Sequence, residues 1–378
     1  MKKLIVLIAF ICSILISCNQ HNGNNRIDLT QISKKNISLT SSELYSSVKY
    51  IPLETNEDCY LTSRSIFAVD DENILMWDKE LYRFSIDGHF LNQIGKTGNG
   101  HGEHGNLSSV NYDRKNKIVY AGTYGGIIYK YDINGDYLGQ IQITPDDAIL
   151  LSVRYDDKSQ KLFCEARKYN DGQLTVSIIT ADTDGNIEGS HEIYSDEEHV
   201  KMGMMKSGMM RKSSNGVFLM LPFDDRLFSI KEGKVVVPYE LYRGNYSPDR
   251  EMCENWDNAD MLYRTKYQIG NIVMTERNIY LNIPTSEGNE YRVVANLDSK
   301  NIIYCTLSKS NEEKYIKLDD FSDVTFWPWI AENGDKAIAC MDINKFTGED
   351  RQRLKELSGT EFELSDSSNP VVVIATEK

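Results

Sequence analysis

The stretch YRFSIDGHFLNQI (82–94) reads as a strand, a two-residue turn and a second strand, and YKYDINGDYLGQI (129–141) repeats it almost letter for letter. Asp87-Gly88 and Asn134-Gly135 supply the positive φ that a tight turn between twisted antiparallel strands requires. Weaker copies follow: Ser177 to Ile193 turns at Asp184-Gly185, Leu227 to Leu241 at Glu232-Gly233, and Tyr291 to Leu307 near Asp298-Ser299. From Gly88 to Gly135 is 47 residues, then 50 to Gly185, 48 to Gly233 and 66 to Ser299, the last step holding an insertion. A period of this size with one hairpin per unit predicts an all-β, six-bladed β-propeller. A β-sandwich is the alternative, but it gives no reason for the period.

Five hairpins are visible, and the chain ends supply the sixth unit. Ile37 to Glu54 (ISLTSSELYSSVKYIPLE) reads as strands ahead of the first hairpin, and in a ring it pairs with the C-terminal strand near Val371 to Ala375. Such closure removes two free sheet edges at once. Two segments have helical signals, both in late blades. Ser247-Pro248-Asp249 opens one with a cap, a proline and an acid, running towards Arg264; Gly348 to Leu357 opens acidic, turns basic and stops before Ser358-Gly359.

The chain begins MKKLIVLIAFICSILISC. Lys2 and Lys3 precede an apolar run from Leu4 to Ile16 that is too short to span ~30 Å of hydrocarbon. Ser17-Cys18 closes it, and the whole resembles a bacterial lipobox, in which the chain is cut before the cysteine and the cysteine is lipidated. Residues 1–17 are accordingly read as a signal peptide, Cys18 as the lipidation site, 18–26 as a flexible polar tether and 27–378 as the propeller domain. Attachment is then by lipid to the outer membrane, on its periplasmic or cell-surface side.

The net charge is −14, and cleavage takes away two further cations, Lys2 and Lys3. No basic stripe is evident along the chain, so the balance argues against a nucleic-acid partner. Cys59, Cys164, Cys253, Cys305 and Cys340 show neither zinc-site spacing nor a disulfide framework, and Cys305 and Cys340 read as buried thiols in strands.

Four further stretches carry a resemblance: LYSSVKYIPLET (44–55); the hairpin and glycine loop from Leu81 to Glu103; LPFDDRLF (221–228); and NPVVVI (369–374). In this order they resemble the six-bladed β-propeller lipoproteins of Gram-negative bacteria, relatives of NHL-repeat and TolB-like propellers. The glycine loop departs from that pattern at His101, where the family usually has proline, and at His104, where it has an aromatic. The resemblance implies a fold and an address but no activity to carry onto residues.

Several clusters are candidates for function. His101 and His104, with Glu103 between them and His89 nearby, have donor types that suit zinc, although solvated loop histidines are the plainer reading. The loop Gly95 to Gly105 could cradle an anion, but lacks the phosphate-loop pattern. MGMMKSGMM (202–210) offers thioethers to soft copper or to a partner surface. Trp256, Trp327 and Trp329 are candidates for stacking on sugar, and Trp256 and Tyr263 in the late insertion for contact with a partner. No hydrolase elbow, metalloprotease helix or calcium loop appears. The expectation is a non-catalytic, membrane-anchored module without a cofactor that binds an unidentified protein, peptide or glycan. The alternative is a metal-dependent hydrolase or lyase with acids or histidines gathered at the channel.

Overall fold

The computed structural model describes residues 25–378 apart from 64, 146, 171–172, 197–207, 214, 250–260, 262–263, 286–287, 310–313 and 333. The chain is a six-bladed β-propeller. Blade 1 is Ser65–Val69, Asn73–Trp77, Leu81–Ser85 and Phe90–Ile94. Blade 2 is Leu107–Asp113, Ile118–Thr123, Ile127–Asp132 and Tyr137–Gln142. Blade 3 is Ala148–Asp156, Lys161–Asn170, Gln173–Ala181 and Ile187–Asp196. Blade 4 is Met209–Ser213, Gly216–Met220, Arg226–Lys231 and Lys234–Tyr242; blade 5 is Asn271–Met274, Asn278–Pro284, Glu290–Asn296 and Ile302–Ser308. The first strand of each blade packs against the first strands of its two neighbours, which makes an inner ring around an axis. The repeated hairpin of the sequence is the outer one, joining the third and fourth strands.

Blade 6 closes the ring. Ile330–Glu332, Lys336–Met341 and Val371–Glu377 come from the C-terminal part, and the outermost strand, Tyr45–Pro52, from the N-terminal part. The last two pair antiparallel, with Tyr50 opposite Val373 and Pro52 opposite Val371, as the sequence predicts. The segment before it differs from expectation. Instead of continuous strand, Ile37 and Thr40 make isolated bridges to Cys305 and Lys317, and Ser41–Leu44 is one helical turn. The Glu43 carboxylate accepts the Thr40 N–H at 2.8 Å, a local bond that competes with a ladder. Upstream, Arg26–Asp28 adds a fifth, parallel strand to blade 4, and Ile27, Leu29 and Ile32 are fully buried.

Six apolar clusters fill the six gaps between blades. Ile338, Cys340, Val372 and Ile374 of blade 6 face Ile66, Ile74 and Met76 of blade 1, while Ala337, Ala339, Val371 and Val373 face Val273 and Val294 of blade 5. Side chains alternate across a strand, and both faces of a blade are covered. That is why VVVIA (371–375) is a continuous apolar run. Glu349–Ser358 is helical, between a Gly348 at φ 53° and a left-handed Gly359, and lies against Tyr45–Pro52 with Leu354 in the core. The predicted helix from Ser247 to Arg264 falls largely outside the described residues.

Candidate functional site

Each blade is traversed in the same order from the axis outwards, so the inner strands all begin on one face of the disc. The connections between blades start and end on that face too: the glycine loop, the chain from Tyr242 to Asn271, and the chain from Ser308 to Ile330. On the opposite face the inner hairpins turn, and a second repeat appears there. Asp70 Oδ1 accepts the N–H groups of Glu72 and Asn73; Asp113 Oδ1 those of Lys115 and Asn116; Asp156 Oδ2 that of Ser159; Ser213 Oγ that of Asn215; and Thr275 Oγ1 those of Arg277 and Asn278. One short polar side chain thus caps the same turn in five blades.

The residue two positions before each cap is Ala68, Asn111, Arg154, Arg211 or Val273, and all five line a cavity of about 590 Å³ on the axis. Its other lining includes Ser109, Trp77, Phe67 and Trp329. Trp77 pairs with Ser65 at the beginning of the inner strand of blade 1, and Trp329 stands just before that of blade 6. The two indoles therefore mark the mouth on the blade-connection face; Trp329 is 51% exposed and Trp77 half-buried. Trp327, by contrast, is core, donating its indole N–H to Asn282 Oδ1 at 2.6 Å.

The charged residues lining this cavity are Arg154, Arg211 and Lys212. Arg154 Nη1 donates to the Val153 carbonyl at 2.7 Å, and Arg211 donates through Nε and Nη2 to Asn271 Oδ1, at 3.2 Å each, and through Nη1 to the Met210 carbonyl. Among the described residues neither has a carboxylate within ion-pair distance. Their position deep in the molecule, and for Arg154 also the neighbouring charge of Arg211, make protonation costlier; Glu165 opposes this, and Arg154 is left at about 10. Lys212 is different: it pairs with Asp157, which also accepts Arg114 Nη1 at 2.5 Å, beside a smaller cavity towards the hairpin face.

The predicted site residues fall elsewhere. Cys18, Trp256 and Tyr263 lie outside the described residues, as do Met202, Met204 and Met205, while Met210 is core between blades 3 and 4. His101 is exposed with its ring edge-on to Tyr137 at 5.3 Å, whereas His104 is 1% exposed and packed among Tyr129 and Tyr131. The two rings thus have different surroundings, and among the described residues no three His, Cys, Asp or Glu side chains gather as metal ligands. The glycine loop fills its own cradle: Glu103 Oε2 accepts the Gly100 N–H at 2.8 Å, which with Lys96 holds that carboxyl below its ordinary range against the opposing effect of desolvation. Cys59, Cys164, Cys305 and Cys340 are buried and form no disulfide with one another, and burial pushes Cys164 up to about 12. Arg154 and Arg211 escaped the sequence reading. A signal existed in VNYD (110–113) and VRYD (153–156), where the inner-strand repeat swaps asparagine for arginine.

Among the described residues no helix is long and apolar enough to cross a membrane. The chain matches no curated protein. It is similar in structure to a Bacteroides fragilis protein described as exported, at 18% identity and TM-score 0.66, over 93% of this chain and 99% of that one. It is also similar to a member of the duf4221 family from Bacteroides vulgatus, at 12% identity and TM-score 0.51, over 89% of this chain and 98% of that one. Likeness at these identities concerns the fold. The match that assigns a family is to the model described as "Domain of unknown function (DUF4934)", which spans residues 24–376, and the chain belongs to that family.

Proposed function

We propose that this protein is an exported lipoprotein, anchored to the outer membrane through Cys18, whose propeller is a non-catalytic binding module with its ligand site in the axial channel. The observation that carries this reading is the channel itself, about 590 Å³ with aromatic, amide, hydroxyl and guanidinium groups along its wall. That size and mixture suit a ligand pocket. The alternative, a metal-dependent hydrolase, needs acids or histidines at the axis; the charged groups lining the cavity are cationic and would repel a metal ion. The exported character of the B. fragilis neighbour accords with the lipobox-like Leu15-Ile16-Ser17-Cys18.

Two measurements test this. Cys18→Ser should release the protein from membranes or block its maturation, and unchanged fractionation with lipid label retained would refute the anchor. A thermal-shift screen of the full mature chain with glycans, peptides and divalent metals should find ligands that raise Tm in wild type and not in Trp329→Ala. Ligands that stabilise both proteins equally would place binding away from the channel mouth.

A further inference from the structure

Among the described residues, the buried arginines are neutralised by carboxylates. Arg243 Nε sits 2.7 Å from Asp225 Oδ1, Arg167 Nη2 sits 3.0 Å from Glu165 Oε1, and Arg292 pairs with Glu290 while lying over Tyr315 and Trp327. Arg154 and Arg211 are half-buried on the channel wall and have no such partner; they stand at equivalent positions of adjacent blades, where ring geometry brings them together. Their protein acceptors are two carbonyls and one amide oxygen, so most of the ten N–H groups of two guanidiniums remain for something else. Bonds to Asn271 and to the backbone fix the forks in place, as a preorganised site requires. Above them the channel is walled by Trp77, Trp329 and Phe67, flat faces suited to the C–H face of a ring.

Resting on the reading of the channel as the binding site, we propose that Arg154 and Arg211 form a carboxylate-binding pair and that the ligand is an acidic saccharide. Its carboxylate lies between the two guanidiniums and its sugar ring against Trp77 and Trp329. A planar carboxylate matches the guanidinium fork in a way a point cation does not. The ligand supplies the counter-charge that the protein withholds. In a chain of net charge −14, a cationic channel also draws an anion past a surface that otherwise repels it.

The experiment is a titration of the full mature protein with trigalacturonate, an uncharged hexose trimer and a short poly-glutamate peptide, read by thermal shift and tryptophan fluorescence. Variants are Arg154→Met/Arg211→Met and Arg154→Lys. Trigalacturonate should raise the wild-type Tm by several degrees and bind at least about 100-fold more weakly to the double variant, each charged hydrogen-bonding partner being worth about tenfold or more. Arg154→Lys, which keeps the charge and loses the fork, should bind about tenfold more weakly, and wild-type affinity should fall with added salt. Without ligand the double variant should melt no lower than wild type, because two like charges have been removed from a confined space. Should it fail to fold, the lysine variant carries the test alone, and unchanged affinity in it overturns the proposal. Equal binding of neutral and acidic trimers overturns the carboxylate pair but leaves the channel site standing. Binding of the peptide alone overturns the saccharide assignment, and binding of none overturns both readings.

Discussion

A methyl group on Gly135 would stand 2.6 Å from the carbonyl oxygen of Gln93, and one on Gly88 would stand 2.2 Å from that of Pro52. Both glycines also have φ above +90°. The outer-hairpin turns of blades 1, 2 and 3 rest on the outer strand of the preceding blade, so the glycine there is required twice, by its own turn and by the neighbour. This is why Asp-Gly and Asn-Gly carried the period so plainly in the sequence. Gly233 has the same sign of φ but open space around its Cβ position. Gly135→Ala should therefore lower stability by about 2–4 kcal/mol and Gly233→Ala by only about 1 kcal/mol, measured by urea unfolding. A second residue-scale prediction concerns acid. Burial raises Asp70, but Lys117 Nζ at 2.8 Å, two backbone N–H groups and the hydroxyl of Tyr112 prevail and hold it at about 2. A folded-state value below the unfolded ~3.9 adds stability that is complete above pH ~5 and is lost as pH falls through ~2, about 2 kcal/mol in all. Asp70→Asn should cost about that much at pH 7 and much less at pH 2, with the two urea midpoints converging.

Elements differ in how much of them could be read. The outer hairpins have alternating faces, and their turns hold Ser85, Asp132 and Asp182, whose side chains accept the N–H groups two and four residues on. The inner strands were harder, because they are covered on both faces and capped by Asp, Ser or Thr interchangeably, so no single letter repeats. The Arg154–Arg211 pair was hidden for the same reason: the residues are 57 positions apart in sequence and meet only through the ring. His101 and His104 show the opposite case: they are close in sequence, yet the loop turns the His104 ring inwards and leaves His101 outside. Asn369 shows what a closing element needs. Its Nδ2 donates to the carbonyls of Glu54 and Cys59, both at 2.6 Å, and its Oδ1 accepts the Leu61 N–H at 2.8 Å. Asn369→Ala leaves these groups buried and unpaired, and should cost roughly 3 kcal/mol with no change in the slope of the urea transition.

The whole molecule is held by more than one closure. The pairing of Tyr45–Pro52 with Val371–Glu377 joins the two ends of the chain within blade 6, and the stretch from Arg26 to Thr40 runs past blades 4 and 5 before reaching it. Glu377 fastens blade 6 to blade 5, accepting Thr275 Oγ1 at 2.7 Å and Tyr280 Oη at 2.5 Å. Deleting Asn369–Lys378 removes the strand at the centre of this arrangement and opens two blade interfaces, so the domain should lose its cooperative transition; a truncated protein that melts like wild type would refute closure by the two ends. The closed ring is also what makes the channel, the proposed binding site. A crystal structure of the protein soaked with trigalacturonate tests it most directly. Density for a carboxylate is expected within hydrogen-bond distance of both Arg154 and Arg211, with a sugar ring against Trp329; a channel without ligand density at saturating concentration, or density confined to the outer rim, would refute binding there.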